Sequence, residues 1–341
     1  MPLVAHFLNV GQGDCTIIEF PSGRVAMIDI HNLKILDRDT RSEVLQEYHE
    51  SIDYLAARGS GLFTMAELDE RFLKQEQARL TDPLAYYDAR IGKDRDIFRM
   101  IVTHPDMDHM TGLYRLHEQE KSKAILNFWH TGTDDFNLAH TTEEEWKSCP
   151  YDQRDWESYK KLRAGGTGCP TSLMNYKGAA GNYWTEDGVE ILSPTPVLAR
   201  LAVEREQPNI ISLVLKISYQ GRSIILGGDA TSDETWPAIH ASTEIGKVDV
   251  LKASHHGRKT GYHQPSIEKL APWLTITSVG EKEHDATESY RRYSDYTVSL
   301  RKAGDIQITI ADDGRLYYSP NAAEHWKVKR TAASPLARFA V

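Results

Sequence analysis

Three apolar runs of this chain each stop at residue types able to ligate metal ions, and no other feature restricts the fold as much. IFRMIVTH (97–104) runs into H-P-D-M-D-H (104–109), which packs His104, Asp106, Asp108 and His109 into six positions. SIILGGD (223–229) ends in two glycines and Asp229, and VDVLKASHH (248–256) ends in His255 and His256 before Gly257. Short runs rich in Val, Ile and Leu between turn signals read as buried strands. More of the same surrounds them: LVAHFLNV (3–10), CTIIEF (15–20), RVAMIDI (24–30), SLVLKISY (212–219), LTITSVG (274–280) and DIQITI (305–310). DDG at 312–314 leads into RLYYS (315–319), a hairpin signal.

Between these strands lie two stretches of other character, about 31–98 and 131–187. In the first, RSEVLQEYHESIDYLAARG (41–59) puts Val44, Tyr48, Ile52 and Leu55 on one helical face and ends at Gly59. A second helix is expected over 62–80, with Thr64 as its N-cap. The stretch 131–187 is polar, weakly periodic and holds Trp146, Trp156 and Trp184. A single domain over 1–320 is expected, with a C-terminal tail over 321–341.

Composition removes several classes. The chain has 341 residues, 40% hydrophobic and 26% charged, as in globular proteins. No apolar run approaches the roughly 18 residues of a membrane span, so no membrane partner is expected. The opening MPLVAHFLNVGQGD reads as a strand rather than a signal peptide. Cys15, Cys149 and Cys169 show no paired spacing, so a cytoplasmic location is expected. A net charge of −9 disfavours a long electrostatic grip on nucleic acid and leaves room for a local basic groove.

Imidazole and carboxylate donors suit Zn²⁺, Mn²⁺ or Fe better than Cu(I) or an iron–sulfur cluster. Alternate residues of 104–109 can point at two adjacent ions. Ions about 3.5–4 Å apart can share a bridging hydroxide and clamp a phosphoryl or carbonyl group. Arg258 and Lys259 place positive charge beside the histidine pair and could neutralise a transition state. A protonated member of the 255–256 pair could assist the leaving group. His284 or Asp285, after a further strand, could complete the ligand set. Asp14 and Asp29, at strand ends, read as turn formers with a backing role to the ligands as the other option.

Together, FLNVGQGD (7–14), MIDI (27–30), THPDMDHMTG (103–112), SLVLKISYQGRSIILGGDA (212–230), VDVLKASHHGRKT (248–260) and TSVG (277–280) resemble the metallo-β-lactamase superfamily. More closely they resemble its ComEC-like soluble hydrolase and nuclease branch. The resemblance spans most of the chain, in family order, and leaves out the two inserted stretches.

It implies an αββα sandwich with a metal site at one edge between two sheets. It implies that His104, Asp106, Asp108 and His109 form the first metal motif, with Asp106 where the superfamily's common form has a second histidine. Asp229 then matches the bridging aspartate, and His255 and His256 the histidine pair. Where the branch often carries a further histidine, this chain has EKEHDA, so His284 and Asp285 stay open. Two divalent ions are implied, Zn²⁺ first, with the extra carboxylate making Mn²⁺ the alternative. The expected activity is hydrolysis of a phosphodiester, DNA by resemblance, with Asp108, His255, His256 and Lys259 in the reaction. A small phosphodiester or phosphocholine-type ester is the second reading. A non-catalytic interaction module, with the inserted stretches as the surface for a protein partner, is the third.

Overall fold

The computed structural model describes residues 1–36, 38–120, 122–132, 136, 140–242, 245–279 and 284–320. Strands β1 (Leu3–Phe7), β2 (Thr16–Glu19) and β3 (Val25–Ile28) form the antiparallel meander expected from the first thirty residues. β4 (Ile97–Ile101), β5 (Ile125–His130) and β6 (Thr171–Met174) then add in parallel. A second sheet holds β7 (Val189–Ser193), β8 (Val214–Tyr219), β9 (Arg222–Leu226), β10 (Val250–Lys252), β11 (Leu274–Thr277) and β12 (Tyr296–Ser299). The last hairpin, β13 (Ile306–Ile310) and β14 (Leu316–Pro320), returns to the first sheet beside β1. The sheet orders are β14-β13-β1-β2-β3-β4-β5-β6 and β12-β11-β10-β9-β8-β7.

Side-chain alternation explains the layers. Along a strand, neighbours face opposite ways. Ile18, Ala26, Ile224 and Val250 meet in one core between the sheets, with Phe7, Trp129, Leu215 and Leu274. Their neighbours face outward. Ile17 and Met27 pack under helices through Leu84, Tyr87, Leu116 and Trp156. Ile225 and Leu251 pack under Trp236, Ile239, Ile267 and Tyr290 on the far side. Each fully buried large side chain contributes about 1.5–3 kcal/mol. This is the helix–sheet–sheet–helix sandwich.

The inserted stretches differ from expectation in two places. The helix expected over 41–59 is two helices, Arg38–His49 and Ile52–Gly59. Ser51 breaks it by accepting a bond from the Tyr54 N–H as an N-cap. The break rotates the face, so Val44 and Tyr54 are buried while Ile52 and Leu55 are exposed. The next helix, Met65–Ala78, starts at Thr64 with a reciprocal Thr64–Glu67 capping box. The stretch 131–187 supplies β6 and the helix Gln153–Ala164, whose Trp156, Tyr159 and Leu162 are buried on the outer face of the first sheet. Asp155 of that helix accepts bonds from the Gly112 and Tyr114 N–H groups, 3.0 and 2.8 Å. It therefore braces the segment that follows H-P-D-M-D-H. Among the described residues, no helix is long and apolar enough to cross a membrane.

Candidate metal centre

Parallel strands carry their C-terminal ends to one edge, and this topology assembles the site. In the first sheet β3 is followed by Asp29 and β4 by 103–109. In the second, β9 is followed by Asp229, β10 by His255 and His256, and β11 by Ser278. The Leu213 N–H bonds the Thr103 carbonyl at 2.9 Å, joining the two edges there.

Asp108, His109, Asp229 and His256 each offer a ligand atom, and all four atoms lie within 4.8 Å of one another. His109 Nε2 is 3.2 Å from Asp229 Oδ1 and 3.8 Å from Asp108 Oδ1. His256 Nε2 is 3.0 Å from Asp108 Oδ2 and 3.4 Å from Asp229 Oδ2. Two more imidazoles face the same carboxylate from farther off. His255 Nε2 stands 3.7 Å and His104 Nε2 4.0 Å from Asp229 Oδ2.

The backbone is shaped for this. His255 and His256 both adopt left-handed φ, 50° and 60°, which side-chain-bearing residues rarely hold. The pair is pinned by His255 N–H on the Gly228 carbonyl, 2.9 Å, and by the Ser278 N–H on the His256 carbonyl, 2.8 Å. Gly227 passes so close to Ser254 that a Cβ there would meet its Oγ at 2.1 Å. That is the reason for a glycine before Asp229.

Each imidazole is oriented from behind. Asp29 Oδ2 accepts from His109 Nδ1 at 2.8 Å, and Asp29 is itself fixed by the Thr103 N–H and hydroxyl at 2.7 and 2.9 Å. Asp14 Oδ1 faces His256 Nδ1 at 3.5 Å and is held by Lys252 Nζ at 2.6 Å and the Ser278 hydroxyl at 2.8 Å. His104 Nδ1 meets the Thr103 hydroxyl at 3.1 Å, and His255 Nδ1 the Thr260 hydroxyl at 2.7 Å. These partners assign Nδ1 as the bonded nitrogen and turn Nε2 into the site. His104 Nε2 and His109 Nε2 are then buried without a hydrogen-bond partner.

The charges are strongly coupled. Burial pushes the His104 imidazole down to about 3 and lowers that of His255, so both rings are neutral at pH 7. Burial acts the same way on His109 and His256, but Asp229 and the other carboxylates beside them hold both well above the usual value. Against the upward push of burial, His109 and His256 hold the Asp108 and Asp229 carboxyls below theirs. Burial, with the Asp108 charge beside it, raises Asp106 to about 7. Nitrogen and oxygen donors converging on buried imidazole nitrogens without partners fit a divalent ion.

The remaining expected residues stand outside this gathered set. Asp106 accepts from the Met107 N–H at 2.7 Å and lines a cleft of about 580 Å³ that also reaches Asn209, Glu206, Asp233, His255 and Thr260. His284 is exposed and offers its carbonyl to the Lys259 N–H at 2.9 Å, while the Lys259 side chain is also exposed. Asp285 forms a backbone bridge with Arg258 and lies in the electrostatic field of Glu43. None of Asp106, His284, Lys259 and Asp285 is among the four gathered groups.

The backing residues Asp29, Asp14 and Lys252 are the ones that sequence reasoning undervalued or missed. So is His31, buried beside Asp108 and pushed down by burial to about 4. The available signal was Lys252 itself, a lysine inside an apolar strand, which needs a buried counter-charge.

No family model matches the chain. Recombination protein 2 of Haemophilus influenzae is 28% identical over 142 residues, 39% of this chain and 17% of that protein. The chain thus matches under a fifth of the length of that relative. Among solved structures, the metallo-beta-lactamase fold protein YhfI from Bacillus subtilis aligns over 94% of this chain and 100% of its own, with 8% identity and a TM-score of 0.43. CmlA, a diiron beta-hydroxylase from Streptomyces venezuelae, aligns over 90% and 53%, with 10% identity and a TM-score of 0.42. In this chain, two sheets packed face to face carry helices on both outer faces, the αββα arrangement expected from the sequence, with the strand-end motifs meeting at one edge.

Proposed function

We propose that the chain is a metal-dependent hydrolase of phosphodiesters, with DNA as the substrate favoured by resemblance. One observation carries the reading. Asp108, His109, Asp229 and His256 converge at the strand ends, next to an open cleft. Asp108, His109, Asp229 and His256 would hold one divalent ion. His104, Asp106 and His255, with Asp229 shared, would hold a second. Such ions, Zn²⁺ or Mn²⁺ by donor type, supply Lewis-acid polarisation of a phosphoryl oxygen and lower the pKa of water toward neutrality.

The chain's own residues do the rest. Asp29 and Thr103 fix the His109 ring, and Asp14, with Lys252 behind it, faces the His256 ring, so both Nε2 atoms are aimed into the site. The cleft admits one arm of the substrate past Asp106 and His255. Lys259, three residues beyond His256, is positioned by sequence to offset phosphoryl charge.

The match to a protein named for recombination supports DNA. The cleft supports the second reading, a small phosphodiester. It is lined by Asp106, Glu206 and Asp233 and by no described Lys or Arg, which repels a polyanion.

The test is hydrolysis of bis(p-nitrophenyl) phosphate and of plasmid DNA, in Zn²⁺ and in Mn²⁺, by wild type and Asp108→Ala. Cleavage by wild type and its loss in the variant are expected. Plasmid cutting whose affinity falls steeply with salt selects DNA; cleavage of the small ester alone selects the second reading. Bound metal without cleavage of either refutes the proposal.

A further inference from the structure

The two halves of the centre are built differently. Asp108, His109, Asp229 and His256 are already gathered, and the side chains of His109 and His256 are 0% and 2% exposed. Behind each of these imidazoles stands a carboxylate, Asp29 or Asp14. The outer pair stands outside the gathered set, although the His104 side chain is also 0% exposed. Hydroxyls of Thr103 and Thr260 stand behind His104 and His255. The His255 side chain is 24% exposed and lines the cleft, and both rings lie farther from Asp229.

A carboxylate behind a histidine ligand raises its basicity and locks its ring, whereas a neutral hydroxyl only orients it. Each set counts two histidines and two carboxylates, with Asp229 common to both, so the difference lies in how the donors are gathered and backed.

We infer that the centre loads its ions unequally and in order. The first enters the buried Asp108–His109–Asp229–His256 set and stays. The second enters the His104–Asp106–His255 side from the cleft, binds more weakly and exchanges. This rests on the metal-binding half of the proposed function and is independent of the substrate.

Calorimetric titration of the metal-free chain with Zn²⁺, and with Co²⁺ followed by visible absorption, separates the steps. Two steps are expected, about tenfold or more apart in affinity. Asp29→Asn weakens the first step by about 10–100-fold. His255→Gln and Thr260→Ala weaken only the second. Circular dichroism checks that each variant is folded, and the two outer-set variants decide the matter alone if Asp29→Asn does not fold. Two equal steps, one cooperative step, or a first step weakened by His255→Gln would overturn the inference. Two unequal steps in a chain that cleaves no phosphodiester would uphold it and refute the hydrolase reading. A folded chain that binds neither ion would overturn both.

Discussion

Replacing Asp187 by asparagine removes one negative charge from a buried link between the two sheets. Asp187 precedes β7 in the second sheet and accepts from Arg99 of β4 at 2.5 Å, from Arg24 twice at 2.8 Å and from the Ser22 hydroxyl at 2.6 Å. The Arg99 side chain is 1% exposed and lies over Phe20, Phe98 and Trp129. With asparagine, Arg99 keeps the Tyr183 carbonyl at 2.9 Å and one neutral amide oxygen but no counter-charge, whereas Arg24 keeps Glu186 at 2.6 Å. One cation is therefore stranded, not two. Breaking one side of a buried pair costs about 3–5 kcal/mol, and the lower end, about 3 kcal/mol, applies here.

Unfolding entropy near 2.1 cal/mol/K per residue gives about 0.7 kcal/mol/K for 341 residues, so Tm should fall by about 4 °C at pH 7. The pH dependence adds a second arm. Burial alone would raise the Asp187 carboxyl, but Arg24, Ser22 and Arg99 hold it below its ordinary 3.8. A depressed carboxylate contributes stability above its unfolded pKa and loses it as pH falls through the folded one. The gap between wild type and Asp187→Asn should be full at pH 7 and shrink below pH 3.8. Thermal melts followed by circular dichroism read both. A Tm within 1 °C of wild type at pH 7, or a gap as large in acid as at neutrality, would refute the reasoning.

Other expectations are simpler. Divalent metal at about 100 times its Kd should stabilise the wild type by about 2.7 kcal/mol, roughly 4 °C in Tm, and Asp229→Ala should show no such rise in differential scanning fluorimetry. Gly257→Ala should lower metal content and destabilise by about 1–3 kcal/mol. Its φ is +99° and a Cβ would stand 2.7 Å from Thr277, displacing the peptide beside His256. Gly246→Ala, with open space around it, is the matched control that should be neutral. Trp156→Ala should cost about 3–5 kcal/mol in urea melts if its helix is packed framework; a loss below about 1 kcal/mol would fit a detachable lid instead.

Several strands that announced themselves in the sequence are buried on both faces. VAMI of β3 and VLK of β10 are covered above and below, so their composition alone marks them. β6 and β12 escaped reading because edge strands are short and half covered: both residues at the ends of TSLM are exposed, and YTVS is mostly half-buried. The Ser51 break escaped because Val44, Tyr48 and Ile52 keep helical spacing straight across it. Periodicity cannot see an N-cap that a serine makes inside an unbroken pattern.

The site divides the same way, along contact distance in the chain. His104, Asp106, Asp108 and His109 are contiguous, and so are His255 and His256, so their chemistry is visible as motifs. Asp29 reaches His109 across 80 residues and Asp14 reaches His256 across 242. Nothing local in MIDI or GQGD distinguishes a turn-forming aspartate from one that faces an imidazole. Only the strand register does so, by bringing the C-terminal ends of β3 and β4 level and setting β10 beside β9 and β11. Lys252 follows from this. Buried on β10 at 3% exposure, it needs a counter-charge, and Asp14 is the carboxylate beside it, at 2.6 Å. The Asp14 carboxylate that faces His256 is thus shared with Lys252, whereas the Asp29 carboxylate that holds His109 is shared, among the described residues, with Thr103. Each gathered imidazole therefore has its own carboxylate behind it, although their motifs give no hint of it.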